Sequence, residues 1–157
     1  MTAKFCFAGN VEVLHMNTRK EGPEEDKELA LDLKCETVTD RDVCSFFDDA
    51  LADFLFLSDG TPRNIMLDPL EFRHELEHYQ LRIVNRTHYG CKVKKFRLSP
   101  RVGNKVLLTF QVSFKPSSTE VAQIAEMLQE MLEIDLSPAS EELDFGAAEP
   151  ESIKEAA

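Results

Sequence analysis

Two adjacent β-strands are encoded by the stretch Cys91-Lys-Val-Lys-Lys-Phe-Arg-Leu-Ser-Pro-Arg-Val-Gly-Asn-Lys-Val-Leu-Leu-Thr-Phe-Gln-Val-Ser-Phe114. In its second half, apolar side chains occupy every even position from Val106 to Phe114, which is the period of a half-buried strand. Residues 91–98 predict a partner strand, and residues 99–104 supply the Pro, Gly and Asn of a turn. The stretch therefore predicts a β-hairpin. Val93 and Phe96 have opposite parity, and a β-bulge between them would place both on the buried face.

The predicted hairpin is strongly basic in a chain that is acidic overall. Residues 82–115 contain nine Lys or Arg and no Asp or Glu, whereas the formal net charge of the 157-residue chain is −11. Such segregation can create a local field opposite in sign to the average. The hairpin is therefore a candidate binding surface for nucleic acid or for an acidic partner. Its cations are Lys92, Lys94, Lys95, Arg97, Arg101 and Lys105.

Two interpretations of these cations remain open. They could contact phosphates, with Phe96 or Tyr89 offering a plane on which a base can stack. Alternatively, the chain's own acids could neutralise them, either from a strand at residues 28–36 or from the C-terminal tail. The tail acids concerned are Glu141, Glu142 and Asp144. If the hairpin does bind nucleic acid, the tail would act as an electrostatic competitor, and binding would depend steeply on salt.

The remaining elements follow from periodicity and capping residues. Alternation predicts a strand at 29–36, a first strand is expected at 4–15, and the polar loop 17–26 joins the two. Apolar residues at helical spacing predict one helix over about 40–56. A second helix begins at the capping-box pair Ser117 and Glu120 and is expected to end near Glu133, before a short strand at 134–136.

Together these elements predict an α+β fold. We expect a single domain over residues 1–137, in which an antiparallel sheet of about five strands packs against two amphipathic helices. Residues 138–157 are rich in Glu, Ala and Pro and predict an acidic, flexible tail. The first helix would present an acidic face made of Asp48, Asp49 and Asp53, which is a second candidate partner-binding surface.

Residues 69–85 are compatible with either a helix or a strand that contains a bulge. The choice has chemical consequences, because His74-Glu75-Leu-Glu-His78 matches the H-E-x-x-H motif. On a helix the two imidazoles would share a face and could bind zinc, with Glu75 activating a water molecule. On a strand they would lie about 13 Å apart. No third ligand follows at the usual spacing, so a zinc hydrolase ranks third among the functional hypotheses.

Composition favours a cytoplasmic protein without a cofactor. No apolar run approaches the roughly 20 residues of a membrane span, and the N-terminus lacks the apolar segment of a signal peptide. Cys6, Cys35, Cys44 and Cys91 are widely spaced, without a C-x-x-C pair. We therefore interpret them as reduced, buried, small hydrophobic residues rather than as metal ligands.

Residues 67–137 resemble a group of small phage- or prophage-encoded accessory proteins without an established activity. The resemblance rests on the order of these segments: Leu67-Asp-Pro-Leu70, Tyr79-Gln-Leu-Arg-Ile83, Val93-Lys-Lys-Phe-Arg-Leu98, Val106-Leu-Leu-Thr-Phe-Gln-Val112 and, after a helix, Ile134-Asp-Leu136. It implies a strand around Tyr79–Ile83 and carries no catalytic residue over.

The leading functional hypothesis is a non-enzymatic interaction protein with a protein partner. Such a protein could inhibit or regulate a nucleic-acid-handling complex, with an acidic surface that imitates DNA as in anti-defence proteins. The alternative is a nucleic-acid-binding accessory protein that uses the basic hairpin, with the tail as competitor. The sequence leaves the oligomeric state open.

Overall fold

The computed structural model describes residues 4–64 and 68–139, which form seven strands and three short helices. The strands are β1 (Phe7–Glu21), β2 (Glu28–Asp40), β3 (Leu70–Phe72), β4 (Leu76–Ile83), β5 (Arg86–Arg101), β6 (Lys105–Phe114) and β7 (Met131–Pro138). The helices are α1 (Cys44–Phe47), preceded by a 3-10 turn at Arg41–Val43, then α2 (Leu51–Leu55) and α3 (Ser118–Ala125).

Six of the strands form a closed antiparallel ring. Its order is β5, β4, β7, β1, β2 and β6, and β6 pairs again with β5. The long strands β1 and β5 make closure possible, because each changes neighbour along its length. Residues 7–12 of β1 pair with β7 and residues 12–21 pair with β2. Strand β5 likewise pairs with β4 over 86–93, and with β6 over 92–101 on its other edge.

The α+β prediction is confirmed only in its coarse form. The described residues are mostly antiparallel sheet with few helices, but the sheet has seven strands where we expected about five. The two predicted amphipathic helices also differ from the structure, because the first is divided into α1 and α2 and the second ends at Ala125. Of the predicted tail 138–157, residues 138 and 139 are described, with Pro138 ending β7, and residues 140–157 lie outside the described part.

The core lies inside the ring and is rich in aromatic side chains. Strand β6 contributes its even-numbered residues, as the alternation predicted. Phe96 of β5 is fully buried, with its ring centroid 5.2 Å from that of Phe5 and 5.3 Å from that of Phe47. Edge-to-face packing of this kind adds to the stabilisation that burial alone provides.

The predicted hairpin is present, with a bulge where parity requires it. Val93 faces Val112 and Arg97 faces Thr109, so the register shifts between Lys94 and Arg97. Lys95 is the extra residue of the bulge and has a φ of 60°. Val93 and Phe96 are consequently both buried, whereas Lys95 points to solvent.

The predicted helix at 40–56 is broken in the middle. Strand β2 continues to Asp40, and Asp48 is extended, with a φ of −167°, between α1 and α2. The Asp48 carboxylate accepts a hydrogen bond of 2.8 Å from the backbone N–H of Ala50. Aspartate competes in this way with helical hydrogen bonding, which explains the interruption.

The predicted helix start at Ser117 is confirmed by a complete capping box. Ser117 Oγ accepts from the Glu120 N–H, and Glu120 Oε1 accepts from the Ser117 N–H at 3.0 Å. Burial alone would raise the pKa of the Glu120 carboxyl, but hydrogen bonds from Ser117 and His88 outweigh it and leave that pKa below its usual value. His88 Nε2 lies 2.6 Å from Glu120 Oε2, which ties α3 to β5.

Replacing Ser117 with alanine should lower the free energy of unfolding by about 1 kcal/mol, because the cap of α3 is lost. Urea denaturation of the wild type and of Ser117→Ala measures this. Ser118→Ala, one position inside the helix, is the matched control and should change stability by less than about 0.5 kcal/mol. Equal losses in the two variants would show that the cap does not stabilise the helix.

The predicted end of α3 is wrong. The helix ends at Ala125 rather than near Glu133, because Leu132 belongs to β7 and faces Val11 of β1. The predicted strand at 134–136 is present within this longer strand. Strand β1 likewise extends to Glu21, so the loop predicted at 17–26 begins later than expected. Long-range pairing overrides local propensity in both places.

Residues 69–85 form strands rather than a helix. Strands β3 and β4 both pair with β5, and residues 73–75 leave the sheet between them. The register of β4 shifts between Leu76 and Tyr79, where His78 has a φ of 62°. This is the bulged-strand alternative of the sequence analysis. Tyr79 is buried, and its hydroxyl donates to the Phe5 carbonyl at 2.9 Å.

Candidate anion-binding groove

An open groove of about 1200 Å³ crosses the polar face of the sheet. Its floor consists of outward-facing side chains of β1, β2, β6 and β5, and residues 71–75 line it as well. Seven basic side chains line the groove: Arg19, Lys34, Arg73, Lys92, Lys94, Lys95 and Arg97. Two histidines and four carboxylates also line it: His15, His74, Glu21, Asp32, Glu71 and Glu75.

Strand pairing arranges the floor in rows that run across the sheet. His15 pairs with Lys34, Lys34 with Gln111, and Gln111 with Lys94. Since neighbouring strands lie about 4.8 Å apart, this row spans roughly 14 Å. None of its four members is an acid. The backbone ladder therefore holds two lysines and a histidine in line, which suits contact with successive anionic groups.

Beside this row, a network of charged and polar side chains links strands β1, β2 and β6. The Arg19 guanidinium donates two hydrogen bonds of 2.9 Å, from Nε and Nη2, to the Asp32 carboxylate. Ser113 Oγ donates to Asp32 Oδ1 at 2.7 Å, and Arg19 also contacts Glu21. Hydrogen bonding to Arg19 is the main reason why the pKa of Asp32 falls from 3.8 to about 2. The side chain of Asp32 is only 15% exposed, so this carboxylate stabilises the fold and is not available to a ligand.

Replacing Asp32 with asparagine should lower the free energy of unfolding at pH 7 by about 1–2 kcal/mol, since Arg19 is partly exposed and screened by solvent. The folded pKa lies below the unfolded one. The stabilisation is therefore complete above about pH 5 and is lost as pH falls toward 2. Urea denaturation should show a smaller difference between wild type and Asp32→Asn at pH 3 than at pH 7. An unchanged difference would contradict this assignment.

The groove retains a surplus of unpaired positive charge. Its acids Glu21 and Asp32 pair with Arg19, and Glu71 pairs with Arg97 at 2.6 Å. The fourth acid of the lining, Glu75, forms no salt bridge within the described residues. Within residues 4–64 and 68–139, no salt bridge involves five of the seven cations. These unpaired cations are Lys34, Arg73, Lys92, Lys94 and Lys95. They are the groups available to an external anion, although Lys92 is also attracted to the nearby Glu21 carboxylate.

The structure brings together four of the six predicted hairpin cations. Lys92, Lys94, Lys95 and Arg97 line the groove. Arg101 and Lys105 face each other beside the turn and do not line it, and Lys105 pairs with Asp40 at 2.5 Å. The remaining basic residues of the groove had no local signal, because Lys34 comes from β2, Arg19 from β1, and Arg73 from the segment between strands. Only the pairing of β2 with β6 places Lys34 beside the hairpin.

The two aromatic residues considered for base stacking are not available in the groove. Phe96 is fully buried, so that part of the hypothesis is wrong. Tyr89 is 59% exposed but does not line the groove. Of the aromatic residues that do line the groove, Phe72 and His74 are half-buried, whereas Phe96 and Phe110 are buried beneath it.

The predicted acidic helix face is not continuous. Asp48 and Asp49 lie in the break between α1 and α2, and Asp53 lies on α2, where it pairs with Arg41 at 3.1 Å. All three are exposed. Phe54, which follows Asp53 on α2, is 64% exposed.

The H-E-x-x-H residues do not form a metal site. His74 packs against Phe46 and Phe47, at ring-centroid distances of 5.1 and 5.4 Å, whereas His78 lies in the bulge of β4. The helical geometry required for shared zinc ligation is therefore absent from this segment. Across the described ranges, no group of three or more His, Cys, Asp or Glu side chains could hold a metal ion.

Three of the four cysteines are buried, as expected. Burial raises the pKa of the Cys35 thiol to about 12 and those of Cys44 and Cys91 to about 11, so these thiols are poor nucleophiles. Cys6 is exposed, which corrects the prediction for that residue.

None of the helices in the described ranges combines the length and the apolar character that a membrane span requires. The chain matches no protein-family model, and neither its sequence nor its fold matches a curated protein or a solved structure at a significant level.

Proposed function

We propose that this protein is a non-enzymatic accessory protein that binds nucleic acid through the phosphate backbone, using the basic groove. The observation that carries the proposal is the group of five unpaired cations in one groove of a chain whose net charge is −11. Phosphates contacted by Lys and Arg release counterions, and this release drives binding that does not depend on sequence.

The distribution of acidic partners supports binding of an external anion in the groove. The acids of β2 and β3 neutralise only part of the basic surface, since Asp32 is occupied by Arg19 and Glu71 by Arg97. Lys34 is itself on β2, so this strand contributes a cation as well as acids to the groove floor. The acids of the neighbouring strand therefore do not neutralise the row formed by His15, Lys34, Gln111 and Lys94.

Binding of labelled single- and double-stranded oligonucleotides at several salt concentrations tests the proposal. If all five unpaired cations contact phosphates, log K should fall with log salt with a slope of about −3.5 for single strands and −4.5 for duplex. A slope near zero, or no binding at low salt, would overturn the proposal. Similar affinity for unrelated sequences is expected, because contacts of Lys and Arg with phosphates carry no sequence information.

A second candidate is a protein-binding function at the α1–α2 segment. Phe54 is 64% exposed on a short helix that also carries Asp53, with Asp48 and Asp49 nearby in the chain. An exposed aromatic side chain is typical of an anchor residue in a protein interface, and the acids of this segment would favour a basic partner. The resemblance to phage accessory proteins favours such an inhibitory or regulatory contact. Under this alternative, Phe54→Ala would abolish partner binding and leave oligonucleotide binding unchanged.

A further inference from the structure

We propose that the acidic C-terminal segment of this chain, residues 140–157, binds the basic groove and competes there with nucleic acid. This inference deepens the proposed function by assigning its regulation, although contact between the segment and the groove can be tested without any nucleic acid. Three observations carry it: the charge of the segment, the place where the described chain ends, and the unpaired cations of the groove.

The charges of the segment and the groove are complementary. Residues 140–157 contain six acids, namely Glu141, Glu142, Asp144, Glu149, Glu151 and Glu155, against the single cation Lys154. The groove offers five unpaired cations on the described face. Attraction between two such sets is long-ranged at low salt and is screened within about 10 Å at 0.1 M salt.

The chain leaves the fold close to the groove wall. Strand β7 ends at Pro138, which faces Tyr79, and the Ala139 N–H donates to the His78 carbonyl at 2.9 Å. Leu76 faces Val93 and Tyr79 faces Cys91, so strand pairing places His78 beside Lys92 of the groove lining. Residues 141–144 lie two to five positions beyond Ala139, a reach of about 7–17 Å for an extended chain. The first three acids of the segment can therefore reach the nearest part of the groove.

Tethering makes even a weak contact effective. A short linked segment acts at an effective concentration in the millimolar range. With an intrinsic dissociation constant of about 0.1 mM, such a segment would occupy the groove most of the time and weaken nucleic-acid binding about 10-fold.

The test uses two full-length variants with the same change in net charge. The first removes the three acids nearest the groove: Glu141→Gln, Glu142→Gln and Asp144→Asn. The control removes three acids from the turn between β1 and β2, which does not line the groove: Glu24→Gln, Glu25→Gln and Asp26→Asn. Backbone amide NMR shifts of Lys34, Lys92 and Lys94 are recorded at low salt, and single-stranded DNA affinity is measured alongside.

We expect the tail variant alone to shift these amides and to bind single-stranded DNA about 10-fold more tightly than the wild type. Unchanged groove amides in the tail variant would overturn the inference, whatever the DNA affinities. Equal shifts in both variants would also overturn it, since they would reflect net charge rather than contact. Amide shifts specific to the tail variant, without DNA binding by any variant, would support the inference and reject the proposed function.

Discussion

Replacing Lys92, Lys94 and Lys95 together with alanine should weaken single-stranded oligonucleotide binding about 100-fold at 0.1 M salt. The estimate follows from counterion release. Removing three of five phosphate contacts changes the slope of log K against log salt from about −3.5 to about −1.4. The three lysines are exposed or half-buried and make no salt bridge within the described residues, so their removal should leave the fold intact. Titration by fluorescence anisotropy at several salt concentrations measures both the affinity and the slope.

The matched control carries the same change in net charge at positions outside the groove. Arg86→Ala, Arg101→Ala and Lys105→Ala remove three cations of strands β5 and β6 that do not line it. This variant should keep the wild-type slope and lose less than about 10-fold in affinity, because its effect is limited to long-range attraction. If both triple variants lose affinity equally, net charge rather than the groove governs binding.

Replacing Phe96 with alanine should lower the free energy of unfolding by about 3–5 kcal/mol, which is the range for truncating a buried aromatic side chain. The ring of Phe96 is fully buried and lies within 6.4 Å, centroid to centroid, of four other phenylalanine rings. These four rings belong to Phe5, Phe46, Phe47 and Phe110, so the cavity would open between several elements. Urea denaturation followed by circular dichroism measures the loss.

Tyr89→Ala provides the control for this prediction, because Tyr89 is an aromatic residue of the same strand but is 59% exposed. Its replacement should change stability by less than about 1 kcal/mol. A loss below about 1 kcal/mol for Phe96→Ala would mean that the aromatic cluster does not form the centre of the core.

Local patterns predicted those parts of the fold that local physics determines. The period of two from Val106 to Phe114 identified β6, and the parity conflict between Val93 and Phe96 located the bulge at Lys95. The capping box likewise located the start of α3. Each of these features depends on a few adjacent residues, for which steric and hydrogen-bonding rules suffice.

Features that depend on distant partners could not be predicted in this way. The end of α3 was missed because Leu132 gains more from pairing with β1 than from continuing a helix. Closure of the ring requires β1 and β5 each to change neighbour, for which no short motif exists. The sequence predicted the lysines that the hairpin contributes to the groove, because they come from one contiguous segment. It could not predict Lys34 and Arg19, because the order of the strands places them there.

Because β1 and β5 each pair with two sets of neighbours, they determine how the molecule unfolds. Residues 7–12 and 12–21 of β1 belong to different halves of the ring, as do the two ends of β5, so neither half can detach without breaking strands that the other half needs. Unfolding should therefore be a single cooperative event, with amide hydrogen exchange slowest near Glu12 and Val93, where the two halves meet. Lys92 and Lys94 flank Val93, so the spacing of these two lysines should persist until the whole molecule unfolds.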